Sequence, residues 1–132
     1  MTDGTPGHAI PIAPDDAFSA VSNGRRRQVL LALDQTDASL TASRLATEIA
    51  AAENGITPSQ VTSEQRSRVY VSLIQSHLEV LDELGVAAYD ARAKSIASTD
   101  ATQPIAEHIR RLETACFAPG NSSNSEGDDG AE

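Results

Sequence analysis

A chain of 132 residues suits one domain, and no stretch of it approaches the roughly 20 apolar residues that a membrane span requires. The formal net charge is −9, with 19 acids against ten bases, which excludes the broadly basic field that draws proteins onto nucleic acid. Five of the acids (Asp3, Glu126, Asp128, Asp129 and Glu132) lie at the ends, so the central part is only mildly acidic and local contact with phosphate stays open. Residues 1–13, rich in Gly, Pro and Thr without periodicity, read as a disordered arm. Asp15 and Asp16 then cap a short helix carrying Ala17, Phe18 and Val21, which Asn23-Gly24 breaks. A second helix runs from Arg25, with Val29, Leu30 and Leu33 on one face, to a polar turn at Asp34 to Ser39.

Thr41 is placed to accept from the free N–H groups of the next helix. There Ala42, Leu45, Ala46, Ile49 and Ala50 fall at helical spacing on one stripe. Asn54-Gly55 stops it. Thr57-Pro58-Ser59-Gln60 makes a turn, and Thr62 to Gln65 repeats the same capping pattern to start a long helix ending near Leu84. Tyr70, Ile74, Leu78 and Leu81 form its stripe, flanked by Val69, Leu73, Val80 and Leu84, and Gly85 ends it. Val86 to Tyr89 and Ser95 to Ser98 read as a small hairpin around the turn Asp90 to Lys94, and Ser39-Leu40 offers a third short strand. Ile105, Ile109, Leu112 and Cys116 mark a last amphipathic helix. Residues 117–132 read as a disordered acidic tail.

This order predicts a mostly α fold, a winged helix-turn-helix with a small β-hairpin wing and a C-terminal helix, spanning residues 14–116. Ile105, Ile109 and Leu112 are expected to help form a homodimer, because a small aliphatic core is marginal alone.

The run from Arg68-Val69-Tyr70-Val71-Ser72-Leu73-Ile74 through Leu84-Gly85-Val86 resembles haloarchaeal winged-helix domains of unknown function, as do Val21-Ser22-Asn23-Gly24-Arg25-Arg26-Arg27 and Tyr89-Asp90. The resemblance covers about Asp15 to Thr99. More loosely, Ser76-His77-Leu78 through Val86 is similar to the recognition helix and wing of ArsR-like repressors, which implies DNA reading but, without a matching cysteine pair, no metal sensing. Two departures stand out: the long connection Asn54 to Val61, and a wing turn without glycine. A lysine-poor, arginine-based, alanine-rich acidic composition looks like that of a halophile.

The expected DNA contacts follow. Arg68, Ser72 and Gln75 form the reading face of the long helix, because Arg and Gln suit guanine and adenine edges. Arg66 reaches a phosphate at the side. Arg25, Arg26 and Arg27, misplaced at the positive end of a helix, and Arg92 and Lys94 in the wing turn are candidates for backbone contact. The alternative readings are a solvated arginine run paired with Asp15 or Asp16, and an ordinary polar turn. Glu79, Asp82 and Glu83 read as a solvated face rather than acid–base machinery. His77, His108 and Cys116 are too scattered for a metal site. No cofactor, catalytic residue or small-molecule effector is expected. The lone Cys116 and the start without a basic-then-apolar signal suit a cytoplasmic protein. The expectation is a DNA-binding transcriptional regulator; the alternative is a protein–protein interaction module on the same scaffold.

Overall fold

The computed structural model describes residues 9–116. It is mostly helical, with a three-stranded antiparallel sheet, and compatible with a winged-helix-like fold. Helix α1 (Pro14–Val21) starts on a proline, whose fixed φ suits the first helical position. Asp15 and Asp16 sit in its first turn, near the positive dipole end, but the residue before the helix is Ala13, which provides no side-chain cap. In α2 (Gly24–Asp34) the Asn23 side chain accepts from the backbone N–H of Arg25 and Arg26, so Asn23-Gly24 starts the helix as well as ending the one before.

Strand β1 (Leu40–Thr41) leads directly into α3 (Ala42–Asn54), where the Thr41 hydroxyl accepts from Arg44 N–H at 3.1 Å. The expected stripe, Ala42, Leu45, Ala46, Ile49 and Ala50, is fully buried, and its alanines let α3 lie close against the next helix. Gly55 ends α3 at φ 64°, the left-handed conformation that glycine adopts at least cost. A single 3₁₀ turn (Pro58–Gln60) fills the long connection, and a reciprocal capping box between Thr62 and Gln65 starts α4 (Ser63–Ser72).

The long helix is not uniform. A π segment (Leu73–His77) separates α4 from α5 (Leu78–Glu83). The side chains that reach full burial are Val69, Leu73, Leu78 and Leu81; Tyr70 and Ile74, expected at the centre of the stripe, are only half-buried. Spacings of four, five and three explain this. The π turn absorbs the extra residue between Leu73 and Leu78, so both halves present their apolar side to one core.

Strands β2 (Ala87–Asp90) and β3 (Ser95–Ser98) pair antiparallel, and β1 adds to the far side of β3 through Leu40 opposite Ile96. Lys94 takes the position where a wing glycine is missing: its φ is 54°, a conformation costing a non-glycine residue about 1–2 kcal/mol. Its carbonyl accepts from Ala42 N–H at 2.8 Å, which gives the first residue of α3 a partner. Asp82 is also structural, since its carboxylate accepts from Tyr89 N–H at 3.1 Å and ties α5 to β2.

Helix α6 (Thr102–Cys116) lies against α2. Thr102 is buried; its hydroxyl donates to Val86 C=O at 2.6 Å and accepts from Thr99 N–H at 2.9 Å. Ile105 and Ile109 are fully buried within the chain, so the expectation that they form a dimer surface is corrected: α2 and the core already cover them. Leu112 alone of the three remains exposed. Part of the expected arm is corrected as well. Ile10 and Ile12, either side of a bend, pack against the core. The remainder of the arm and the tail from residue 117 lie outside the described residues.

Candidate nucleic-acid interface

The cations divide by whether the fold already occupies them. Arg25 makes a two-pronged pair with Glu53, Nε to Oε2 at 2.7 Å and Nη2 to Oε1 at 3.0 Å, and the pairing raises its pKa further. Arg26 turns inward. Its Nη2 donates to Ser19 C=O at 2.9 Å and to the Ser22 hydroxyl at 3.1 Å, its Nη1 lies 3.5 Å from His77 Nδ1, and burial lowers its pKa. Arg27 donates to Val21 C=O at 2.6 Å. The arginine run is therefore a clamp that fastens α1 and α2 to the C-terminal end of α3 and to the π segment. All three arginines make contacts inside the fold, and none of them pairs with Asp15 or Asp16 among the described residues; Arg26 Nε is buried without a partner. The unfavourable placement of three cations at a helix start is offset by those tertiary contacts.

Burial lowers the pKa of His77, and the positive charges of Arg26 and Arg25 lower it further. Accepting at Nδ1 from an arginine suits a neutral ring. Across the domain, Tyr89 moves the other way: burial first, then Glu79, raises its phenol.

Among the described residues, the arginines paired with acids are Arg25, Arg44, Arg68, Arg110 and Arg111. Arg66, Arg92 and Lys94 have no acidic partner there. These three belong to the beginning of α4 and to the wing turn. The wing turn and the start of α3 are joined by the Lys94 C=O bond to Ala42 N–H. The next residue, Ser43, shares a cleft with Arg66, Ser67 and Tyr70. The backbone of Lys94 and the side chain of Arg66 thus lie at one structural junction. Arg25 does not join them: its partner Glu53 lies ten residues along α3 from Ser43, about 15 Å at 1.5 Å per residue.

On the outer face of α4, Arg68 and Val71 are exposed and Ser72 is half-buried, and Gln75 in the π segment is exposed. Because the π segment takes more residues per turn, Gln75 is offset from the line through Arg68 that plain helical spacing predicts. Arg68 is held by Glu64 at 3.0 Å, but both side chains are largely exposed, and such a helical pair contributes only about 0.3–0.5 kcal/mol. Arg44, at the start of α3 beside Ser43, is exposed and paired with Glu48 four residues on. Neither Arg44 nor Tyr70 stands out as a polar contact in the sequence, the first because it lies beside an apolar stripe that dominates its helix and the second because its spacing places it in the core stripe. Arg92 lies in a turn held by Asp90, whose carboxylate accepts from the N–H groups of Arg92 and Ala93.

Among the described residues no group of three or more His, Cys, Asp or Glu is arranged to hold a metal ion, and no helix is long and apolar enough to cross a membrane. Comparison with curated proteins and with solved structures returns no match. One family model does match, over residues 18–97, which run from α1 to β3 and leave out α6. The chain belongs to that family, DUF7344, a domain of unknown function.

Proposed function

We propose that this protein is a DNA-binding transcriptional regulator that lays α4 in the major groove and sets the wing turn against a neighbouring phosphate. The observation that carries this reading is the cleft where Arg66, a cation without an acidic partner among the described residues, meets Ser43, next to the residue that bonds the wing turn through Lys94 C=O. Arg68 and Gln75 extend outward from the adjoining helix face as the base-reading pair, with Val71 between them to meet a thymine methyl. The acids Glu79, Asp82 and Glu83 fall at the other end of the long helix, away from the part that a recognition helix inserts. The haloarchaeal and ArsR-like resemblance belongs to this proposal, as does a cytoplasmic location. In molar salt the Debye length is about 3 Å, so binding there rests on short hydrogen bonds and not on the net field.

The reading includes a homodimer, with its surface moved from Ile105 and Ile109 to a groove of about 490 Å³ between the N-terminal segment and α6. Phe18, 67% exposed, and Leu112 line it together with Ile10 and Ile12. The same groove favours a second reading, an interaction module that binds another protein without DNA. Selection from a random duplex pool in high salt separates the two. The regulator enriches a defined sequence, and Arg68→Ala weakens binding to it by about 1–3 kcal/mol while relaxing one base position. A pool that stays random after selection leaves the interaction module.

A further inference from the structure

We infer that the cleft between α3 and α4 is a seat for a phosphoryl oxyanion, built from the Arg66 guanidinium and the hydroxyls of Ser43, Ser67 and Tyr70. The identity of the oxyanion as a DNA backbone phosphodiester rests on the function proposed above; the seat itself rests on the cleft. Its volume is about 280 Å³, and these four residues line it without a carboxylate. All four offer hydrogen-bond donors, and phosphate oxygens only accept. The donors come from two helices, Ser43 from the first turn of α3 and the others from α4.

The neighbouring cations sharpen the assignment. Arg68, two residues beyond Arg66, is bonded to Glu64, and Arg44, next to Ser43, is bonded to Glu48. Arg66 has no acidic partner among the described residues, although it belongs to a chain with nearly twice as many acids as bases. Tyr70 is half-buried with its ring against the core, so its place in the cleft is fixed by packing.

The test uses the full chain and two probes, a mixed-sequence duplex and inorganic phosphate. Arg66→Ala, Ser43→Ala and Tyr70→Phe each remove a donor from an exposed or half-buried position, and an unchanged unfolding midpoint verifies that each variant folds. With duplex, Arg66→Ala lowers affinity and reduces the slope of log K against log salt by about 0.9, the signature of one lost phosphate contact. Tyr70→Phe and Ser43→Ala, being neutral changes, lower affinity about three- to tenfold without altering that slope. If the parent binds duplex and all three variants bind as it does, the seat is refuted while DNA binding stands. If the parent binds no duplex but phosphate shifts the NMR signals of Ser43, Arg66 and Tyr70, the seat stands for a small phosphoryl ligand and the DNA reading falls. Binding of neither probe refutes both.

Discussion

Arg26 illustrates how a residue's role is decided by where its donors end. Three consecutive arginines are conspicuous in the sequence, and their position at a helix start indicates that something offsets the dipole penalty. What offsets it is long-range: Glu53 lies 28 residues from Arg25, and His77 lies 51 residues from Arg26. Local spacing carries no trace of such partners, so the run is visible but its use is not. The clamp has a pH consequence. An unfolded histidine titrates at about 6.5, whereas the folded His77 titrates lower because of burial and the two arginines. As pH falls through the window beneath 6.5, the unfolded chain takes up the proton first, so stability that is complete above that window is lost on acidification. His77→Gln is expected to flatten the dependence of the unfolding midpoint on pH below about 6.5. Parallel profiles for the parent and His77→Gln are the contrary result. At the same scale, Lys94 shows a position that favours glycine filled by a residue at φ 54°, in a turn that the polar run from Asp90 already marks.

The elements themselves were largely legible. Caps at Thr41 and Thr62, stops at Gly55 and Gly85, and the stripe on α3 rest on local rules that the structure follows. The exception is the π segment, because a stripe spaced four, five and three cannot be told from a broad apolar face by period alone. Once placed, it makes a specific prediction. Deleting Ser76 shortens the Leu73-to-Leu78 step to four, turns the segment into an ordinary α-helix, and keeps both halves in register with the core. The cost is expected to be about 1–2 kcal/mol, within the usual range for single changes. Deleting Ser67, which lies in regular α-helix, rotates the start of α4 by about 100° against the rest and is expected to cost more than about 4 kcal/mol. Urea unfolding of the two deletion variants compares them directly; equal losses would show that the extra residue has no such role. The candidate interface is legible in part: Arg66 and Arg68 are exposed in the first turns of α4 and Lys94 lies in the wing turn, whereas Ser72 is half-buried and Gln75 is offset, because the π turn changes which side chains share the outer face.

For the whole molecule, the net charge is a poor guide to where binding occurs, since several of the acids pair with arginines or hold local turns while Arg66, Arg92 and Lys94 have no acidic partner among the described residues. Exposed apolar surface is concentrated in the same way. Among the described residues the exposed large hydrophobic side chains are Phe18, Val71 and Leu112, and two of these line the groove between α1 and α6. A second copy seated there predicts that Phe18→Glu converts a dimer to a monomer with the unfolding midpoint little changed, because Phe18 is mostly exposed in the single chain. Light scattering in molar salt checks this, and a parent that is already monomeric removes the dimer. Two-fold pairing also bears on DNA, since helix-turn-helix dimers read half-sites about 34–36 Å apart. The most direct measurement is therefore genome-wide occupancy of the tagged protein in cells held at their own salt, beside the Arg68→Ala variant. Discrete sites sharing one sequence, lost or degenerate in the variant, are predicted. A parent whose profile does not rise above the input DNA would contradict DNA recognition by α4.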